Sequence, residues 1–227
     1  MKNIGEAFTF PFRDPNWATK LLIGTVFAAF SVLLIGIPVV SGYCIELMQR
    51  VRRHEKYPLP EWKDVGVKFI VGLKYNVTMV IYYIPVFILI IPLILLCVLS
   101  GIHGPYAAEV FCRTVALPII LIVVIPYSLL IAILTPVISA KFAERERIGD
   151  ALRVNEVFRG FRNHWQDVVV AAAICFGVRM FAWVGIILLL VGILLTVFYS
   201  YLVSFHLYGQ VAETMAHSST PAKLEVR

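Results

Sequence analysis

Tyr75 to Leu99 reads YNVTMVIYYIPVFILIIPLILLCVL, 25 residues without one charged side chain. About 18–20 apolar residues suffice for a helix to cross the roughly 30 Å of bilayer hydrocarbon. Lipid offers no partner to an unpaired backbone N–H or C=O, so such a stretch is expected to be helical. The alternation that marks a membrane β-strand is missing. Leu21–Met48, Val115–Ala140 and Val168–Tyr208 are three further stretches of the same kind. The expected fold class is therefore all-α, a polytopic transmembrane helix bundle with interfacial amphipathic helices, and residues 1–227 read as a single membrane domain.

Composition agrees. Hydrophobic residues make up 60% of the chain and charged residues 15%, against about 25% charged in soluble domains. The formal net charge of +6 does not point to nucleic acid, because the basic residues gather beside the apolar stretches, as in cytoplasmic loops of membrane proteins. Membrane lipids and other membrane proteins are the expected partners. The opening residues are not a signal peptide: Glu6, Asp14, two prolines and Trp17 interrupt Met1–Lys20. Cys44, Cys97, Cys112 and Cys175 lack metal or redox spacing. Three of them read as small packing residues in apolar stretches, with Cys112 alone near a water-facing surface.

Residues 1–20 form an interfacial segment, with Phe8, Phe10, Phe12 and Trp17 set among Arg13, Asp14 and Lys20. Residues 21–140 form a first helical unit. As one helix, Leu21–Met48 would be about 42 Å long, so it must tilt, protrude or break, and Gly36-Ile37-Pro38 is the natural break. The connector Gln49–Val65 carries five Lys/Arg and the interface anchor Trp62. Lys68 and Lys74 follow and can snorkel. Ser100–Thr114 is a short loop with Arg113 alone. Residues 141–212 form a second unit. Lys141–Asp167 has six Lys/Arg and an amphipathic surface helix with Ile148, Ala151, Leu152, Phe158, Phe161 and Trp165 near one face. Val168–Tyr208 is about 60 Å as one helix, so two helices joined near Arg179–Gly185 are expected. Residues 213–227 read as a loose tail.

Ile4-Gly5-Glu6-Ala7-Phe8 recurs as Ile148-Gly149-Asp150-Ala151-Leu152, each followed by an Arg-aromatic stretch ending in Trp17 or Trp165 and then by apolar sequence. This reads as a duplicated unit or as coincidence between short, biased segments. Basic loops stay inside, so 49–65, 141–167 and the C-terminus are expected in the cytoplasm of a cell-membrane protein and 100–114 outside. The N-terminus lies outside if Leu21–Met48 spans once and inside if it re-enters.

Several motifs suggest a family. They are Ala7-Phe8…Pro11…Arg13-Asp14…Trp17…Leu21-Leu22-Ile23-Gly24, then Gly42-Tyr43…Arg50…Arg52-Arg53, Leu59-Pro60-Glu61-Trp62-Lys63-Asp64…Phe69…Gly72-Leu73-Lys74, and His206-Leu207-Tyr208-Gly209-Gln210. Together they resemble the uncharacterised membrane family called domain of unknown function 4013. The resemblance implies a multi-pass prokaryotic membrane protein and carries no activity or catalytic residue.

No HExxH, GxSxG, Walker loop or CxxC is present, so no catalytic, cofactor or metal residue is assigned. Three polar residues are candidates. Arg179 interrupts an apolar run, costing about 2.5–3.5 kcal/mol at a helix centre. It either snorkels or pairs with a carboxylate, Glu46 being the best placed. His206, beside Tyr208 and Gln210, is either a proton or ligand group or an interface histidine. Trp17, Trp62 and Trp165 read as interface anchors. The leading expectation is a non-enzymatic accessory or scaffold module. A small transporter or channel with a Pro-kinked cavity is the alternative, and a lipid-directed enzyme the third.

Overall fold

The computed structural model describes residues 5–102, 104–182 and 189–219, and every regular element among them is helical. The all-α expectation holds. Glu6–Thr9 (α1) passes into a 3-10 turn at Phe10–Arg13. Asp14 is extended and its Oδ1 accepts the Asn16 N–H at 2.8 Å, the local side-chain turn typical of aspartate. Trp17–Ala29 (α2) starts there.

The long apolar segment at 21–48 breaks. A 3-10 turn over Phe30–Leu33 and Leu34 in the left-handed region (φ 64) reverse the chain into Gly36–Arg52 (α3). Pro38 sits in the first turn of α3, where its missing N–H costs no helical bond. A Cβ on Gly36 would stand 2.1 Å from the Phe27 carbonyl, so only glycine lets α3 leave this close to the end of α2. The break thus falls just ahead of the Gly36-Ile37-Pro38 sequence.

α3 is the axis of the core. Tyr43, Cys44, Ile45, Leu47 and Met48 are all at most 1% exposed, and a helix buried on every side needs neighbours all round. Leu189–Ser219 (α9) covers one side, with Gly209 close enough for a Cβ to meet Val51 at 2.8 Å. α9 also covers α2, where the Phe198 ring fills the space left by Gly24. α3 ends in a Schellman turn: Glu55 N–H reaches Arg50 O and His54 N–H reaches Val51 O, with His54 at φ 57.

Val65–Ile102 (α4) and Pro105–Arg145 (α5) are 38 and 41 residues long and apolar enough to cross a membrane. The expected loop Ser100–Thr114 is mostly helical: α4 runs on to Ile102, and Pro105 opens α5 at a first helical position, where its missing N–H costs no bond. Only Gly104, at φ 115, is clearly non-helical, and His103 lies outside the described residues. Around Pro118 the ladder widens into π turns at Cys112–Ala116 and Ile120–Val124, as a missing N–H permits. Cys97 and Cys112 form a disulfide, which corrects the reading of Cys97 as a packing residue.

The expected surface helix in 141–167 is divided. Its first residues belong to α5. Ile148–Ala151 (α6) and Val154–Asn163 (α7) follow, parted at Leu152–Arg153, and Trp165 already opens Trp165–Ala182 (α8). Ala151 and Val157 turn inward while Phe158 and Trp165 stay exposed. The expected joint near 179–185 falls partly in 183–188, outside the described residues. Residues 213–219 continue α9 as helix, and the rest of the expected tail, with Ile4 of the repeat, lies outside the described residues.

The chain divides into two compact units, Met1–Thr78 with Leu134–Arg227, and Met79–Ile133. The expected division at residue 140 cuts sequence differently, because α4 and α5 each carry one end in the first unit. The Met79–Ile133 unit is a helical pair in which Tyr127 Oη donates to the Tyr82 carbonyl at 2.9 Å. Its outer surface is apolar, including Ile88, Ile91, Ile94, Val98 and Ile122.

Within the first unit, α3 meets α4 backbone to backbone. A Cβ on Gly42 would stand 1.8 Å from the Lys68 carbonyl, and one on Gly72 1.8 Å from the Pro38 carbonyl. Gly42→Ala is expected to lower stability by about 2–3 kcal/mol through forced separation of the helices. Gly66→Ala, with open space around it, should be neutral or stabilising by up to about 1 kcal/mol. Melting of the two variants in detergent against the parent checks both.

Candidate functional site

The contact of α3 with α4 brings three charged side chains together. Arg50, one turn after Glu46, reaches its Oε1 through Nε at 3.1 Å and Nη2 at 2.8 Å. Lys68, on α4, donates to the other oxygen. Lys68 is 6% exposed, so it is buried rather than snorkelling. Its backbone lies against Gly42, where no side chain stands between the two helices. Charge this deep is tolerated only when paired, and Glu46 supplies the pair.

A cleft of about 350 Å³ opens beside this ion pair, lined among others by Gly42, Gln49, Glu61, Lys63 and Glu146. Gln49 Nε2 donates to the Ala143 carbonyl at 3.0 Å and to Glu146 Oε1 at 2.9 Å, tying the end of α5 to α3. At the rim, the Lys63 ammonium hydrogen-bonds Glu61 at 2.6 Å. That bond holds the Glu61 carboxyl below its ordinary range and lifts Lys63.

His206 occupies a second cavity, of about 470 Å³, between the N-terminal turn, the end of α3 and α9. The imidazole is 5% exposed. It stacks on Phe10 at 4.3 Å between ring centres and meets the Gln210 amide at 3.4 Å through Nδ1. At the mouth Arg13 pairs with Glu6 at 3.0 Å, and His54 Nε2 stands 3.4 Å from Glu213 Oε1. The arrangement offers hydrogen bonds from a half-apolar floor and a rim of mixed charge.

Arg179 is in neither place. It is exposed and lies over the Tyr201 ring at 5.5 Å. Glu46 is held by Arg50 and Lys68, so Glu46 and Arg179 belong to different constellations. Trp17 is partly exposed against Phe12, and Trp165 is 55% exposed. Trp62 is a packing residue, stacked on Tyr43 at 4.2 Å and on Phe27 at 5.0 Å, with Nε1 donating to the Lys20 carbonyl at 2.8 Å.

Sequence reading missed two charged residues here. Lys68 looked like one of two lysines at a membrane edge. Asp14 looked interfacial, yet it is 4% exposed and accepts the Lys20 ammonium at 2.7 Å, which also bonds the Leu59 carbonyl. The nearest sequence signal is that Glu46 and Lys68 are each isolated charges next to glycine-containing apolar runs.

Glu46→Gln should destabilise the protein by about 3 kcal/mol, since it leaves Lys68 buried without a counter-charge. Lys68→Met placed on top of it should recover most of the loss, because methionine fills the stem's volume without charge. Thermal melts of the two single variants and the double variant measure the coupling.

No curated protein and no solved structure matches the chain. The model of one family matches residues 25–214, which takes in α3, Glu46, Lys68 and His206. On that match, covering most of the sequence, the chain belongs to the family described as Protein of unknown function (DUF4013).

Proposed function

We propose that this chain is a multi-pass membrane module without catalytic machinery of its own, an accessory or scaffold subunit that packs against lipid and other membrane proteins. One observation carries this. In the most apolar windows of α4 and α5 only 11% of the residues are buried. The core helix of a soluble protein would be covered by its own chain, and apolar surface this extended calls for lipid or a partner.

Two independent features support an orientation with 49–65 and 141–167 in the cytoplasm. One is the excess of Lys/Arg in those segments over 100–114. The other is the Cys97–Cys112 disulfide beside the 100–114 segment, because disulfides persist on the oxidising side of a membrane. A second reading, a small transporter, is favoured by the π turns on both sides of Pro118, since widened turns in membrane helices accompany functional sites. Solute or ion flux through proteoliposomes would favour transport. Specific membrane proteins retained through purification in mild detergent, without flux, would favour the scaffold.

The protein should stay in the membrane pellet after alkaline carbonate extraction. Tyr106 is 78% exposed, so Tyr106→Cys should react with an impermeant maleimide from outside intact cells. Labelling only after the membrane is opened would reverse the orientation. In denatured protein, alkylation should find two thiols before reduction and four after.

A further inference from the structure

The turn between α2 and α3 is a bare apolar tip. Leu33, Leu34 and Ile35 are 63%, 72% and 63% exposed, and Phe30 is 49% exposed. No charged residue occurs between Lys20 and Glu46. The lower ends of both arms are the reverse. Lys20 is fixed by Asp14 and the Leu59 carbonyl, Glu46 by Arg50 and Lys68, and Trp62 lies against α2 and α3 through Phe27 and Tyr43.

Length makes the arrangement specific. From Leu21 to Ala29 and from Gly36 to Ile45, the uncharged part of each arm is about 15 Å long at helical rise. That is roughly half of the bilayer's hydrocarbon thickness. Neither arm can reach the far headgroups, and the chain returns to the side it left. We propose that α2 and α3 form a re-entrant wedge whose tip, Phe30–Ile35, sits among the acyl chains of a single leaflet, the cytoplasmic one. This rests on the membrane reading above and adds to it: the wedge occupies lipid, and it fixes the N-terminal segment on the same side as the 53–64 connector.

Backbone chemistry permits the position. Lipid-facing turns are normally excluded because their polar groups go unpaired. Here the Leu34 N–H reaches the Ser31 carbonyl at 3.0 Å, the Ser31 hydroxyl bonds the Phe27 carbonyl at 3.3 Å, and the start of α3 lies directly on the end of α2. Acyl chains fit the tip because every side chain presented from Leu33 to Ile35 is a branched hydrocarbon, with no charge for a headgroup or an acidic or basic partner to meet.

The test uses the full chain in native membranes, with Leu33→Cys and Ile35→Cys in turn and the natural cysteines replaced. Both positions are exposed, so little packing is lost. The wedge expects neither cysteine to react with impermeant maleimide from either side. After labelling with a small fluorophore in vesicles of phosphatidylcholine and phosphatidylglycerol, it expects quenching by lipids carrying a nitroxide on the acyl chain, several-fold stronger than by a headgroup nitroxide. Reaction from the outside would mean that the chain crosses, and reaction from the cytoplasmic side that the tip is in water. Protection without quenching would put protein over the tip. Each of these overturns the wedge. Failure of the membrane reading itself is distinguishable, because the protein would then leave the pellet in carbonate.

Discussion

Gly42 and Gly72 permit the direct approach of the α3 backbone to that of α4, the contact that seats the Lys68–Glu46 ion pair. Side chains at these positions would hold the helices apart by the width of a methyl group or more. Their absence brings the backbone at Lys68 against α3, and the Lys68 ammonium reaches Glu46. The ion pair and the close crossing therefore need each other: burial of Lys68 without Glu46 would be costly, and Glu46 has no reach to Lys68 if the backbones part. Gln49, one turn beyond, adds the end of α5 through the Ala143 carbonyl and Glu146.

Buried or half-buried charge in this unit is held in pairs, Asp14 with Lys20 and Glu46 with Arg50 and Lys68. The α2–α3 turn is the reverse, with Leu33, Leu34 and Ile35 exposed and no charged residue between Lys20 and Glu46. A buried charge is costly unless paired, whereas an exposed apolar turn needs no polar partner.

The two sequence repeats lead into the same order of elements. α1 and its 3-10 turn precede α2, which starts at Trp17, and α6 with α7 precede α8, which starts at Trp165. In each case a second helix follows, α3 or α9, and these two helices pack together at the centre of the unit. Both tryptophans are exposed, Trp17 beside Phe12.

The sequence by itself determined that this chain is helical, that segments rich in Lys and Arg flank its apolar stretches, and that it belongs with the family its motifs resemble. Those properties are written in local composition: apolar length, absent alternation and the clustering of Arg and Lys are visible in one dimension. Tertiary structure alone decided that 21–48 turns back at Leu34, that Trp62 stacks on Tyr43 and Phe27, and that Glu46 meets Lys68 and not Arg179. A lysine near an apolar run reads the same in sequence whether it snorkels or is buried. What separates the outcomes is the space left by a glycine on a different helix, and that space exists only once the helices have packed. Cys97 and Cys112 follow the same rule, since their pairing requires α4 and α5 to lie side by side.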